Sequence, residues 1–311
     1  MSSIKVLVSD PISENAINLL KSKGLIVDEK PEISHEELKR IIEQYHVLIV
    51  RSRTKVTRDI IDSGRNLKII ARAGVGLDNI DVEYAKSKGI TILNAPEAPT
   101  IAVAELTIGL MIAIARGICL GNMALKEGKW IKKQLMGFEL YGKTLGIIGF
   151  GRIGKEVAKR AKAFGMNVIA ISRRDISREA RELGVEAAKD LDDLLRKSDI
   201  ITLHVPLTPK TYHMIGEREF SIMKDGVVII NTARGAVIDG KALLKALKSG
   251  KVYAAGLDVY EHEPPQEDWE WELIRHPRVI AVPHIGAQTR EAQEKAGMII
   301  AEKILKTLNI K

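Results

Sequence analysis

The sequence predicts an α/β protein built on parallel sheets, and two observations support this prediction. Short apolar runs alternate along the chain with segments of helical periodicity, which is the rhythm of strands joined by crossover helices. The 311 residues are 45% hydrophobic and only 4% aromatic. The apolar residues are mostly Ile, Val, Leu and Ala, a mixture that suits strands covered by helices on both faces. The length favours two domains.

The apolar runs form two series. IKVLV, VLIV, KIIA and ITIL lie in the first 93 residues, and LGIIGF, NVIAIS, IITLHV, VVIIN, YAAGLDV and RVIAVP lie between residues 145 and 283. Each series predicts a doubly wound parallel sheet. A single long helix is expected from Ile101 to about Leu125 between the two series. The terminal helix has no strand of its own and is expected to pack on the first domain, so the predicted domains are residues 1–97 with 285–311, and residues 98–284.

The formal net charge is +8, but the lysines are scattered and no basic stripe is interleaved with aromatic residues. We therefore expect no nucleic-acid partner. The single cysteine, Cys119, lies in the apolar helical segment and is expected in the core; it excludes an intramolecular disulfide and any cysteine cluster, and we expect no metal. No signal-like or membrane-spanning segment is evident, so a cytoplasmic protein without a membrane partner is expected.

A glycine-rich turn follows the strand LGIIGF and precedes the helical pattern KEVAKRAKAFG. In G-F-G-R-I-G, Gly149 permits the tight turn, Gly151 lets the backbone approach a pyrophosphate, and Gly154 allows close packing of helix on strand. The first amides of the helix, at Arg152 and Ile153, are expected to face the anion. This context predicts a Rossmann dinucleotide-binding domain.

The end of the next strand reads ISRRD, where an acidic residue usually accepts the ribose hydroxyls of NAD. Ser172, Arg173 and Arg174 instead suit a 2′-phosphate, because guanidinium groups match phosphate oxygens in pairs. NADP(H) is therefore the favoured cofactor. In the alternative, NAD is bound, the arginines lie on the surface, and Asp175 or the backbone contacts the ribose.

Three chemically suited side chains follow strands of the second series: Arg234 in NTARG, Glu263 in VYEHEPP and His284 in VPHIGA. Ligands bind at the carboxyl ends of strands in such sheets, so we expect the three to converge. A carboxylate beside an imidazole favours its charged form, which suits proton transfer, and an arginine suits an anionic substrate.

RSRTKVT, ARAGVGLDNID, NAP, VAELTIGLMIAIAR, GIIGFGRIG, HVPLT, NTARG, LDVYEHEP and PHIGA together resemble, in order and spacing, the motifs of the D-isomer-specific 2-hydroxyacid dehydrogenases. The resemblance covers nearly the whole chain and is strongest to the phosphoglycerate enzymes of that family. It implies a flavodoxin-like substrate domain beside the Rossmann domain. It also implies a homodimer formed through the nucleotide domain and the long connecting helix.

The resemblance also implies roles. Arg234 would hold the substrate carboxylate and 2-oxygen, His284 would carry the proton, Glu263 would orient His284, and Asp258 would accept the nicotinamide carboxamide. In the first domain the amides of Ala73, Gly74 and Val75 would receive the substrate carboxylate. The remaining expected contacts are Arg51 and Arg53 with a substrate phosphate, and His204, Val205, Pro206, Thr232 and Ala233 with the cofactor.

The expected substrate is a small anionic 2-hydroxy or 2-oxo acid, foremost the pair 3-phosphoglycerate and 3-phosphohydroxypyruvate. Two departures weaken this assignment, and the second of them favours an alternative, an NADPH-dependent glyoxylate or hydroxypyruvate reductase. Pro99 stands where many phosphoglycerate relatives have Asn, and the Ser-Arg-Arg trio replaces their acidic cofactor residue. A protein of another class, a corepressor-like dinucleotide sensor, is disfavoured by the three intact residues Arg234, Glu263 and His284.

Overall fold

A computed structural model describes residues 4–310 of the chain. They divide into two compact units: the described residues of Met1–Ala102 and Ala287–Lys311, and the segment Val103–Gly286. Each unit is organised around its own parallel sheet, with helices in the connections. The predicted fold class, α/β with two doubly wound parallel sheets, is confirmed.

Within the described residues, the first unit contains a five-stranded parallel sheet of order β2-β1-β3-β4-β5. The strands are β1 (Lys5–Val8), β2 (Ile26–Glu29), β3 (Val47–Val50), β4 (Ile69–Arg72) and β5 (Thr91–Asn94). β2 lies on one side of β1, and β3 and the later strands lie on the other side, so the strand order reverses between β1 and β3. The carboxyl ends of two such strands form the switch point at which open α/β sheets bind ligands.

In the described part of this unit, the α-helices between the strands are α1 (Glu14–Ser22), α2 (His35–Ile41), α3 (Arg58–Ser63) and α4 (Val82–Ser87), and the last helix is α13 (Arg290–Thr307). The terminal helix packs on α1, as expected for a helix without its own strand. Gly297 makes this approach possible, because a Cβ there would lie 2.5 Å from Ser13 Oγ. Ile300 and Ile304 of α13 are fully buried against the sheet core.

Residues 103–286 contain a seven-stranded parallel sheet of order β12-β11-β10-β9-β6-β7-β8. Its strands are β6 (Thr144–Ile148), β7 (Asn167–Ile171), β8 (Glu186–Ala187), β9 (Ile200–Leu203), β10 (Val227–Asn231), β11 (Val252–Leu257) and β12 (Val279–Ala281). The switch point lies between β6 and β9, so the turn after β6 and the loop after β9 flank the same position.

The α-helices between β5 and β12 are α5 (Thr100–Ala115), α6 (Ile118–Lys126), α7 (Arg152–Ala163), α8 (Ser177–Glu182), α9 (Leu191–Lys197), α10 (Glu217–Ile222), α11 (Gly240–Ser249) and α12 (Asp268–Arg275). The expectation of one long helix after residue 101 is wrong. The helix ends at Ala115 and restarts at Ile118, with a bend of 64°. Gly117 sits between the two pieces at φ 58°, in the left-handed region that glycine adopts readily.

The bend divides the apolar segment into a buried and an exposed part. Helix α5 is largely buried, with Met111 fully enclosed, whereas α6 leaves several large apolar side chains exposed. Cys119 lies on α6 and is exposed, so its expected place in the core is wrong. No single helix in residues 4–310 combines the length and apolar content needed to cross a membrane, although α5 and α6 reach both when counted together across their bend.

Candidate active site

The glycine-rich turn joins β6 to α7, and its backbone is tightly packed at two of its three glycines. Gly149 has φ 103°, and a Cβ there would lie 2.5 Å from the carbonyl oxygen of His204. A Cβ on Gly154 would lie 2.3 Å from the oxygen of Gly149, whereas nothing lies within 4 Å of a Cβ on Gly151. Helix α7 begins at Arg152, so the amides of Arg152 and Ile153 have no acceptor within the helix. The turn therefore offers donors beside open space.

The two arginines that follow β7 differ in their surroundings. Arg174 forms a paired contact with Glu179, with Nη1 donating at 2.8 Å and Nη2 at 2.7 Å to the two carboxylate oxygens. Arg173 is exposed and forms no hydrogen bond or ion pair with the described residues. Ser172 is partly exposed beside them. One guanidinium is therefore available to a ligand, and the other is already engaged.

The loops after β9 and β10 contain the other predicted cofactor contacts. Burial lowers the pKa of His204 to about 3, so its imidazole is neutral near pH 7. Val205 is partly exposed and Pro206 is exposed in the same loop. Thr232 is buried, and its hydroxyl lies 3.0 Å from that of Thr107 on α5.

Asn231, which the sequence analysis did not single out, fixes the turn after β10. Its Oδ1 accepts from the amide of Ala233 at 3.0 Å, and its Nδ2 donates to the oxygen of Arg234 at 3.0 Å. Asn231 is buried at the last position of β10. An amide side chain that bonds both sides of the turn sets the backbone from which Arg234 extends.

His284 and Glu263 are brought together by the ends of β12 and β11. His284 Nδ1 lies 2.5 Å from Glu263 Oε2, and the second oxygen of Glu263 accepts from the amide of Tyr260 at 3.2 Å. This hydrogen bond to Glu263 raises the pKa of His284 above its ordinary value, although burial opposes the shift. His284 has φ 50°, an uncommon conformation that concentrates at functional sites. The pair can therefore hold and release a proton at imidazole Nε2.

The backbone around His284 is held by Asp258, which is 1% exposed. Its two oxygens accept from the amides of Ile285 at 2.6 Å and Gly286 at 2.9 Å. Burial raises the pKa of Asp258, while these two hydrogen bonds oppose the shift. The expected contact of Asp258 with a carboxamide stays a prediction, and the contacts present give it a role in placing His284.

Arg234 follows the turn after β10, and its Nη1 donates to the oxygen of Ala233 at 2.7 Å. Its positive charge lowers the pKa of His284, in opposition to Glu263, so both of the other predicted residues act electrostatically on His284. An imidazole held by a carboxylate can transfer a proton, and a nearby cation can bind an anionic substrate.

A buried carboxylate that the sequence analysis overlooked organises the loop of Glu263. Glu270, on α12, is 2% exposed. Its oxygens accept from the amides of His262, Gln266 and Glu267 at 2.9 to 3.0 Å, and lie 3.1 Å from His262 Nδ1. The run of acids in EHEPPQEDWEWE conceals which carboxylate is buried, so this role had no clear signal in the sequence.

The arginines after β3 in the first unit also differ. Arg53 donates to Asp10 Oδ1 at 3.0 Å, to the oxygen of Ser9 at 2.5 Å and to the oxygen of Ile33 at 3.1 Å. Its guanidinium is therefore already engaged by the local structure, although the side chain is 46% exposed, and its expected contact with a substrate phosphate stays a prediction. The side chain of Arg51 forms no hydrogen bond with the described residues, and burial lowers its pKa, although the charge of Asp10 opposes the shift. It lies at the switch point of its sheet.

The loop after β4 carries the three amides expected to bind a carboxylate. The amides of Ala73 and Gly74 donate to the oxygens of Val50 and Arg72 at 2.9 and 2.8 Å. The amide of Val75 forms no hydrogen bond with another described residue. Asn94 donates to the oxygen of Val75 at 2.7 Å and so steadies the loop. Only one of the three amides is thus without an acceptor.

A known protein family and known relatives resemble this chain over most of its length. The family model described as "D-isomer specific 2-hydroxyacid dehydrogenase, NAD binding domain" matches residues 108–286. The chain is 54% identical to a hydroxypyruvate reductase of Thermotoga maritima over 310 residues, covering 100% of both. It belongs to the D-isomer-specific 2-hydroxyacid dehydrogenase family. The domain match supports a nicotinamide cofactor.

Two further members extend the family comparison. The chain is 52% identical to a D-3-phosphoglycerate dehydrogenase of Methanocaldococcus jannaschii, covering 98% of this chain but 57% of that relative. A solved glyoxylate reductase from Paecilomyes thermophila has a TM-score of 0.88 and 37% identity, and the match covers 99% of this chain and 96% of the other. The chain thus spans little more than half of the phosphoglycerate relative and the full length of the hydroxypyruvate relative.

The residues present fit the dinucleotide that the family implies. The tight approaches at Gly149 and Gly154 leave no room for a side chain, while the position above Gly151 is open. The helix that follows presents unpaired amides, which favour an anion. A pyrophosphate has matching donors here.

Proposed function

We propose that the chain interconverts a D-2-hydroxy acid and the corresponding 2-oxo acid with a nicotinamide cofactor. The observation that carries this proposal is the contact of 2.5 Å between His284 Nδ1 and Glu263 Oε2 beside the charge of Arg234. A histidine that is exposed enough to meet a substrate, yet favoured in its protonated form, is suited to general acid catalysis near neutral pH.

In the reductive direction, His284 Nε2 donates its proton to the 2-oxygen as the 2-oxo group is reduced to a 2-hydroxyl group. A bound nicotinamide would supply hydride to C2 in this direction and accept it from C2 in the other. Arg234 pairs with the substrate carboxylate and stabilises charge on the 2-oxygen. In the oxidative direction the neutral imidazole takes the hydroxyl proton. Glu263 keeps the proton on Nδ1 and stabilises the imidazolium.

For the cofactor we propose that both NAD(H) and NADP(H) bind and that NADP(H) is favoured. Ser172 and the exposed Arg173 are available for a 2′-phosphate, and neither is a carboxylate that would repel it. The engagement of Arg174 with Glu179 reduces the preference that two available arginines would give. NAD(H) becomes the favoured cofactor if Arg173 makes no contact with the 2′-phosphate.

For the substrate we propose 3-phosphohydroxypyruvate and 3-phosphoglycerate, with hydroxypyruvate or glyoxylate as the second candidate. Arg51, at the switch point of the first sheet, supports a phosphorylated substrate. The hydrogen bonds of Arg53 to Asp10 and Ser9 weaken the case for its contact with a phosphate and favour the second candidate. The full-length relative named hydroxypyruvate reductase favours it as well.

Initial rates on the three 2-oxo acids, each with NADH and NADPH, test the proposal. Arg51→Leu should lower kcat/KM for 3-phosphohydroxypyruvate about tenfold and leave hydroxypyruvate nearly unchanged, because only the former presents a phosphate. Lys68→Leu, on an exposed position before β4, is the matched loss of charge. If hydroxypyruvate is the best substrate and Arg51→Leu acts equally on both acids, the second candidate holds. Cofactor binding without turnover on any 2-oxo acid would indicate the corepressor-like alternative.

We further propose a homodimer. Helix α6 leaves Ile118, Leu120, Met123 and Leu125 about half exposed or more, which is unusual for a short helix in water. Light scattering should give twice the mass of one chain, and Leu120→Glu with Met123→Glu should return the mass to one chain. A monomeric wild type would contradict this proposal.

A further inference from the structure

The pair formed by Arg174 and Glu179 lies where the cofactor must be distinguished. Arg174 follows β7 by three residues, and the residues directly after this strand are those that meet the adenosine ribose in dinucleotide-binding folds. Glu179 lies on α8, the helix that begins after the same loop. A contact between these residues therefore involves the loop that reads the ribose.

The contact uses the part of Arg174 that would bind a phosphate. Both terminal nitrogens donate to Glu179, at 2.8 and 2.7 Å. Two parallel hydrogen bonds from one guanidinium edge are also the arrangement by which arginine binds phosphate. A 2′-phosphate that sought this edge would have to displace the carboxylate.

Glu179 is itself held in place. Lys155 Nζ, on α7, lies 3.7 Å from Glu179 Oε1, so a second cation attracts the same carboxylate. The Glu179 side chain is 29% exposed, whereas that of Arg174 is 53% exposed. Asp175, next to Arg174, accepts from the amide and hydroxyl of Ser177 at 2.9 and 2.6 Å and is turned towards the start of α8. Glu179 is the carboxylate that engages the guanidinium.

We propose that Glu179 is a specificity-determining residue that competes with the 2′-phosphate of NADP(H) for Arg174 and so limits the preference for this cofactor over NAD(H). This inference rests on the proposed nicotinamide-dependent function. An exposed ion pair contributes little to stability, so the carboxylate is displaceable, but it lowers the gain from binding a phosphate. The sequence SRRD alone overstates that gain because it shows two arginines and conceals their internal competitor.

The test measures binding of nucleotide fragments by calorimetry, so it does not depend on turnover. The probes are 2′,5′-ADP, which carries the 2′-phosphate, and 5′-AMP, which carries a hydroxyl there. Glu179→Gln should lower the dissociation constant of 2′,5′-ADP by roughly threefold to tenfold and leave that of 5′-AMP within about twofold of the wild-type value. Arg174→Ala should have little effect in the wild-type background and should abolish the gain in the Glu179→Gln background.

Glu182→Gln is the matched control. Glu182 lies on the same helix and pairs with Arg178 at 2.9 Å, so the substitution makes the same change in net charge without touching Arg174. An equal effect of Glu182→Gln and Glu179→Gln on 2′,5′-ADP would overturn the proposal and indicate a general charge effect. Equal tightening of both probes by Glu179→Gln would overturn it too, as would a large loss from Arg174→Ala alone.

The same experiment separates this inference from the proposed function. If the wild type binds both probes and Glu179→Gln changes neither, the nucleotide site stands and the role of Glu179 is rejected. If no variant binds either probe, the proposed cofactor itself is rejected, and the inference is rejected with it.

Discussion

Two arginines, one in each unit, are held by carboxylates of the same chain, and they differ in how deeply those carboxylates are buried. The side chain of Asp10, the partner of Arg53, is 2% exposed, whereas that of Glu179, the partner of Arg174, is 29% exposed. Asp10 accepts four hydrogen bonds, one from the Arg53 side chain and three from Arg51 and Thr54. Among residues 4–310, the partners of the Glu179 carboxylate are the cationic side chains of Arg174 and Lys155.

The difference teaches what each carboxylate does. A buried acceptor with several backbone and side-chain donors is expensive to disturb, so Arg53 belongs to the framework of its loop. A surface carboxylate exchanges readily between a guanidinium and water, so Arg174 remains open to competition. In a third pair, Glu263 and His284, the partner titrates, and the carboxylate sets a protonation state.

The largest effect is expected from removing the titrating partner. His284→Asn should lower kcat in both directions by roughly 10² to 10⁴, because the proton carrier is lost. Steady-state kinetics measures the loss, and calorimetry should find the affinity for 5′-AMP unchanged. His276→Asn, at the end of α12, is the matched substitution and should leave kcat within about twofold. Retention of wild-type kcat by His284→Asn would remove His284 from the mechanism.

The next effect separates the two carboxylates that hold arginines. Asp10→Asn should lower the free energy of unfolding by about 3 kcal/mol, since the amide cannot accept all the hydrogen bonds that the carboxylate accepts. Glu179→Gln should leave the urea midpoint of the same transition unchanged. Urea denaturation followed by circular dichroism measures both. A similar small effect for the two variants would break the distinction between framework and competitor.

These contacts mark the limit of what the sequence reveals. The strand ends at which Arg234 and His284 lie follow from apolar runs, because parallel strands place their carboxyl ends at one edge of a sheet. The partner of Arg53 does not, since Asp10 lies 43 residues away and only the pairing of β1 with β3 brings it close. A sequence motif does not show whether the side chain of its arginine already pairs with a carboxylate of the same chain.

Local chemistry explains the other differences. The edge strand β2 reads IVDE and is partly exposed, so it lacks the apolar run by which its neighbours were found. The break at Gly117 was hidden because the residues around it are apolar and helix-forming, and one glycine in a helical pattern is tolerated. The exposed place of Cys119 follows from that break.

A smaller effect tests the third pair through pH. Reduction requires protonated His284, whose pKa Glu263 raises, so reductive kcat/KM should fall as pH rises through that pKa. Glu263→Gln lowers the pKa and should move this limb to lower pH, with a loss of about tenfold above it for each unit of displacement. The oxidative limb, which requires the neutral imidazole, should move in the same direction. A pH profile that keeps its limb while kcat falls would assign Glu263 a role in packing only.

The smallest effect distinguishes the available arginine from the engaged one. Arg173→Ala should weaken 2′,5′-ADP about fivefold, because an exposed guanidinium gives up one charge-assisted contact with phosphate. Arg174→Ala should weaken binding of 2′,5′-ADP less than twofold while Glu179 is present, since Glu179 competes for the two nitrogens that the substitution removes. Both substitutions should leave the affinity for 5′-AMP unchanged. The reverse order of the two losses would mean that the phosphate displaces Glu179 without difficulty, and that burial alone decides whether an arginine is committed.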